Sequence, residues 1–303
     1  MKKILNFALY DFANSAFTTI VITFIFSTYF AKQIAPNPIL GQSYWGWAIG
    51  VTGVLVAIIG PILGSFADKK NYTEFFIKLF TIMCISLTAL LWFSKPSEKY
   101  LLFTLIIVAS ANFFYELSLI FYNSILKRIS SSNNLGKSSG FSFAFGYIGG
   151  ILILIICIKI FIDNDVLPFG LSKENSENIR ATSIVVAIWY LIFSIPFLMS
   201  LKKKINHNIE IPSNNIKKIK DLIWDKGLNN LGKFLIARML YADGLNAIIV
   251  MGGIFAVGVF KLEIKDLLVL SILMNITAFI GAIIGGYAND KFTSKSVIIF
   301  SLL

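Results

Sequence analysis

The chain holds one histidine, two cysteines and three arginines, and only 14% of its residues are charged. Each scarcity removes a class of function. The one histidine, His207, stands in a lysine-rich stretch, which excludes a histidine-box metal site and a histidine-dependent catalytic triad. Cys84 and Cys157 each sit inside an apolar run, where a thiol behaves as a small hydrophobe, so neither a disulfide framework nor a metal site is implied. An ordinary soluble domain carries roughly 25% charged residues. With 56% apolar residues and a mean hydropathy of +0.77, this chain could not hide its apolar surface from water. A phosphate-gripping loop is missing too. Gly227 to Lys233 reads Gly-x-x-x-x-Gly-Lys, but Phe234 takes the place of the hydroxyl that would hold magnesium, and Ser131 replaces the first glycine ahead of Gly136-Lys137-Ser138. No direct drive by ATP, no soluble catalytic domain, no enzyme activity and no cofactor are expected.

What is present is apolar sequence in long blocks. A bilayer core asks for about 20 consecutive, mostly apolar residues, and such blocks fall at 6–33, 44–66, 74–94, 100–126, 140–162, 182–201, 233–260 and 266–288. A ninth begins near Ser294. Residues 2–34 are too long for a secretory signal and carry Asp11 and Asn14 near their start, so they read as the first span. The fold class is all-α, a polytopic transmembrane helical bundle, and the protein is a multi-pass integral membrane protein. In a bacterium it would sit in the inner (plasma) membrane.

The formal charge of +11 is mainly a topology signal. With the N-terminus inside, seventeen of the 27 Lys and Arg lie in or beside inner segments and eight in outer ones, the bias that orients membrane proteins. No nucleic-acid partner is implied. The largest cluster, from Lys202-Lys203-Lys204 to Lys226, marks a basic cytoplasmic linker at 202–232 that would lie beside membrane lipid. It divides a first bundle at 1–201 from a second at 233–303. Residues 163–181 are expected outside. Arg238 is the one arginine placed within a span, Arg128 and Arg180 being assigned to loops.

The two parts echo each other. Asp11 and Asn14 in span one have the spacing of Asp243 and Asn246 in span seven, and Gly64-x-x-x-Asp68-Lys69 after span two is repeated as Gly286-x-x-x-Asp290-Lys291 after span eight. A glycine there permits close helix approach. Asp68 reads as a cap on the free amides that open the third helix. The glycines of span two (Gly46, Gly50, Gly53, Gly60, Gly64) and of span five (Gly140, Gly146, Gly149, Gly150) have the spacings of backbone-to-backbone packing.

Gly64-x-x-x-Asp68-Lys69-Lys70 and its echo resemble the loop signature of the major facilitator superfamily, with Lys in place of the commoner Arg. Tyr10-Asp11-Phe12-Ala13-Asn14-Ser15, Tyr122-Asn123 with Leu126, and Ser139-Gly140 followed by Gly146-Tyr147-Ile148-Gly149-Gly150 are similar to its vacuolar effluxer-like, autophagy-related branch. The resemblance implies twelve helices in two halves, a loop that helps hold one conformational state (Gly64, Asp68, Lys69, Gly286, Asp290, Lys291), and amino-acid efflux among fungal vacuolar members. It also implies that the chain is truncated in helix nine and does not transport by itself.

Intramembrane polar residues are costly in hydrocarbon and usually face a cavity or a partner. Asp11, Asn14 and Thr18 share one face of span one, Asn112, Glu116 and Asn123 one face of span four, and span seven adds Asp243 and Asn246. The family resemblance puts helices one, four and seven around a central cavity. The expected function is therefore a secondary carrier of small solutes, with a coupling proton or ion passing through Asp11, Glu116 or Asp243. The alternative is a non-transporting receptor, scaffold or membrane-embedded transferase on a carrier-like bundle.

Overall fold

A computed structural model describes residues 2–164, 166–201, 224, 229–258 and 264–302. Nine helices carry the fold among them: α1 Lys2–Ile34, α2 Pro38–Lys70, α3 Thr73–Phe93, α4 Glu98–Ile129, α5 Leu135–Ile162, α6 Glu177–Ser200, α7 Asn230–Gly258, α8 Ile264–Lys291 and α9 Ser294–Leu302. The first six, and Ile272–Lys291 of α8, are long and apolar enough to cross a membrane. At 1.5 Å per residue the 29 residues of α7 extend about 43 Å. The protein is all-α and multi-pass. Most of the 202–232 linker lies outside the described residues.

The helices run past the apolar blocks where local chemistry allows it. α2 starts at Pro38 because Asn37 accepts a hydrogen bond from the Leu40 amide at 2.9 Å, and proline suits the first helical position. α5 starts at Leu135, inside the polar stretch that precedes its block, for a reason that lies in α8 and is given below. α1 is wound wide in two places, Phe17–Phe24 and Phe30–Ile34, where hydrogen bonds such as Ile25 N–H to Ile20 O and Ala35 N–H to Phe30 O close over five residues. The Trp45 indole of α2 donates to the Ile22 carbonyl within the first of these, at 3.2 Å.

The described contacts divide the chain into two units: Met1–Lys204 together with Met274–Leu303, and Ile205–Leu273. In the first unit α1 is the central post. Its glycine-poor surface is matched by glycines on α5: a methyl group on Gly149 would collide with the Phe12 carbonyl, and one on Gly146 would rest 3.5 Å from Asp11. Small residues thus let the two backbones touch. The core also holds a hydroxyl chain. Tyr190 donates to the Tyr10 hydroxyl at 3.2 Å, Tyr10 to Ser118 at 3.2 Å, and Ser118 to the Tyr115 carbonyl at 2.7 Å, with Thr81 2.6 Å from Tyr10. All four hydroxyls are buried and satisfied, which joins α6, α1, α4 and α3 into one body.

Two arginines assigned to loops belong to helices. Arg128, in the last turn of α4, pairs with Glu74 in the first turn of α3 at 2.9 Å. Arg180 lies in the first turn of α6 and is only 4% exposed. It donates to the Trp92 carbonyl at 2.8 Å and to the Asn175 carbonyl at 3.1 Å, and its guanidinium lies 4.8 Å from the Trp92 ring centre. The planar fork of five donors serves the chain end of α3 and the approach to α6 together. The second unit contains α7 and the start of α8, and most of the described side chains of α7 are exposed, Arg238 among them.

Candidate functional site

The seam between α5 and α8 is the best-built polar site in the first unit. Gly136, Gly140 and Gly286 bring the backbones together: a methyl group on Gly136 would lie 2.6 Å from the Gly286 carbonyl oxygen, and one on Gly140 would collide with the Ala282 carbonyl. At the end of this seam Asp290 accepts the Gly136 amide at 2.7 Å and the Lys137 amide at 2.8 Å. Those amides open α5 and have no partner within their own helix. A carboxylate on them is doubly favoured, by the charge-assisted hydrogen bonds and by the positive end of the helix dipole. The cap explains why α5 starts where it does.

Asp68, the counterpart of Asp290, is placed otherwise. It stands exposed in the last turn of α2, and the residue preceding α3 is Tyr72, with no side-chain cap. The expected cap of α3 by Asp68 is therefore overturned: α2 continues through Lys70, which keeps Asp68 inside a helix and short of the next one. The chemistry read for this residue type does occur, in the second copy of the motif and on another helix. Gly64 meets nothing within 4 Å, and Lys69 and Lys291 are exposed.

Beside the seam a cleft of about 480 Å³ opens between α4, α5, α8 and α9. Its polar lining is Asn123, Lys127, Ser139 and Asn289, over a floor of glycines that includes Gly281 and Gly285. Asn112, Glu116 and Asn123 fall on one face of α4, and Lys127 continues the line by four residues. Exposure rises along it: Asn112 is buried, Glu116 half-buried, Asn123 and Lys127 exposed.

Asp11 and Asn14 are brought together within the first unit. Asn14 donates to one carboxylate oxygen of Asp11 at 3.3 Å, and the Tyr122 hydroxyl lies 2.8 Å from the other. Tyr122 also reaches the Phe7 carbonyl at 2.9 Å, so its single proton is shared between the two acceptors. Its ring stacks on Phe7 with centroids 4.0 Å apart. Asp243 is exposed on α7 in the second unit, and the side chain of Asn246 lies outside the described residues. Sequence reasoning gave no role to Tyr122, Tyr10, Ser139, Asn289 or Arg180. For Tyr10, Tyr122 and Ser139 the signal was their place within the family-like motifs.

The membrane-length apolar helices define a multi-pass membrane protein, in whose first unit a carboxylate of α8 caps α5. Residues 31–303 match the family described as vacuole effluxer Atg22 like, and the chain belongs to it. An uncharacterised MFS-type transporter of Bacillus subtilis (strain 168), YxiO, is 26% identical over 301 residues, covering 97% of this chain and 69% of the relative. An uncharacterised protein of Aquifex aeolicus (strain VF5) is 25% identical over 298 residues, with 97% and 68% covered. Autophagy-related protein 22 of Yarrowia lipolytica (strain CLIB 122 / E 150) is 25% identical over 203 residues, 58% of this chain and 33% of that one. No solved structure matches.

Proposed function

We propose that this transporter is a secondary active carrier of small solutes, amino acids among them, working by alternating access. Residues 1–201 form one rocking wall, 202–232 a basic linker, and 233–303 the opening helices of the second wall. Asp11, Asn14, Asn112, Glu116, Asn123, Asp243 and Asn246 serve the solute path or a coupled proton. Gly64, Asp68 and Lys69, with Gly286, Asp290 and Lys291, serve the conformational loops.

The observation that carries this reading is the Asp290 cap on α5. It joins α8 to α5 through two hydrogen bonds and a glycine seam. The cap is specific, and its own loss costs about 0.5–2 kcal/mol, a scale at which a switching contact can be made and broken. The satisfied hydroxyl network across α1, α3, α4 and α6 supports the movement of those four helices as one piece.

The test is radiolabelled amino-acid flux into proteoliposomes carrying the full-length gene product, with and without an imposed proton gradient. Saturable flux that responds to the gradient is expected. Flux equal to that of protein-free vesicles, for every amino acid tried and under either gradient, would return the chain to the receptor or scaffold class.

A further inference from the structure

On the side of the α5–α8 seam away from the cleft lies a second groove, of about 630 Å³, lined by Asn133, Lys137, Ile284, Tyr287, Asp290 and Lys291 among others. Its charges are unevenly satisfied. Asp290 has both oxygens committed to the α5 amides. Lys137 and Lys291 make no ion pair with a carboxylate among the described residues. Their ammonium groups rest instead over aromatic rings, Lys137 at 5.1 Å from the Tyr287 centre and Lys291 at 5.8 Å from that of Phe292. Two cations therefore line the groove beside one carboxylate, Asp290, whose oxygens face the α5 amides, and neither lysine pairs with it or with another described carboxylate.

Below this polar end α8 is apolar and open. Ile276, Ile280 and Ile284 are 42%, 48% and 63% exposed and follow one another at four-residue steps, and Tyr287 and Lys291 continue the same face. The order along the helix is thus hydrocarbon-facing isoleucines, then a ring, then an ammonium, over five turns or less. That is the order of polarity in a phospholipid from acyl chain to glycerol to phosphate. Aromatic rings gather at the headgroup level, and basic pockets between membrane helices on the inner side suit anionic heads.

We propose that this groove binds one acidic phospholipid of the inner leaflet, its phosphate between Lys137 and Lys291 and an acyl chain along Ile284, Ile280 and Ile276. Because Lys137 belongs to α5 and Lys291 to α8, the headgroup bridges the seam beside the Asp290 cap and favours its closed form. The inference requires that the chain is embedded in a membrane with Lys137 and Lys291 on the inner side, and it stands whether or not the solute is an amino acid.

The test is lipid retention by the purified full-length protein in native mass spectrometry, using phosphatidylglycerol against phosphatidylcholine of the same chains. The wild type is expected to retain one phosphatidylglycerol. The double substitution Lys137→Gln with Lys291→Gln should lower that retention by a factor on the order of ten, and Lys137→Arg with Lys291→Arg should keep it. Both lysines are exposed, so loss of fold is a weak confounder, and an unchanged melting temperature in detergent checks it. Ile280→Ser should weaken retention of long-chain more than of short-chain phosphatidylglycerol. Equal retention of the two lipids by the wild type, or retention untouched by the glutamine pair, overturns the proposal. So does displacement of the lipid by millimolar inorganic phosphate, which would make the groove a site for the free anion.

Discussion

Asp290 and Gly136 meet twice at one point: the carboxylate accepts the glycine amide at 2.7 Å, and the glycine lacks the side chain that would push Gly286, four residues before Asp290, away. The same seam thus owes its tightness to a missing side chain and its specificity to a charged one. Removing either component should act differently.

Asp290→Ala removes the cap and leaves the glycine contact. A lost N-cap costs about 0.5–2 kcal/mol, equivalent to a rise of severalfold in the open fraction. Hydrogen exchange of the Gly136 and Lys137 amides, which the carboxylate covers in the wild type, should accelerate accordingly. An unaltered rate would show that the cap does not hold the start of α5.

Gly149→Ala and Gly50→Ala are the same chemical change in opposite surroundings. On Gly149 the new methyl meets the Phe12 carbonyl, whereas on Gly50 nothing stands within 4 Å. Overpacking by one methyl costs about 1–3 kcal/mol. The first variant should melt several degrees lower in detergent and the second should match the wild type. Equal melting would mean that α1 and α5 separate at no cost.

Tyr122→Phe keeps the ring that stacks on Phe7 and removes the hydroxyl that reaches Asp11. A buried carboxylate deprived of a donor costs about 1–3 kcal/mol. Asp11→Asn should cost less in the Tyr122→Phe background than in the wild type, because the pair acts as a unit. Additive effects in that double-mutant cycle would break the assignment.

Glu116→Gln preserves shape and hydrogen-bonding capacity while removing the ionisable proton. If a proton travels with the solute by way of α4, flux in this variant should continue downhill but stop responding to an imposed proton gradient. A response equal to that of the wild type would exclude Glu116 from coupling.

Seven of the eight expected spans are helices apolar enough to cross a membrane among the described residues, and they were legible because a bilayer demands long apolar runs written in contiguous sequence. The glycines of α5 were legible for a similar reason, since their spacing repeats at helical intervals. The partner of Asp290 was not. A cap is read from neighbours three residues away, but this one acts across 154 residues, and finding it requires knowing that α5 lies beside α8. Tyr10, Thr81, Ser118 and Tyr190 each look like one polar residue in an apolar run, and their hydroxyls become a network only when four helices assemble. Arg180 sits among Ser, Glu and Asn, so its surroundings read as a loop even though α6 buries its guanidinium against Trp92. Exposure along α4 placed Asn123 in a cleft and left Asn112 in the core, a distinction that a shared helical face cannot make.

The wide winding of α1 gives this helix a tolerance that its neighbours lack. A turn closed over five residues holds more chain than an α-turn of the same rise, so Phe17–Phe24 stores surplus length between the half carrying Asp11 and the half carrying Tyr29. Deleting one residue there can be absorbed by reversion to ordinary winding, with both halves kept in phase. The same deletion at Ala8 would turn Lys2–Phe7 by about 100° against Tyr10, Asp11 and the rest of the helix, carrying Phe7 away from Tyr122. Single-residue length changes among related sequences should accordingly collect in the first segment and avoid the second.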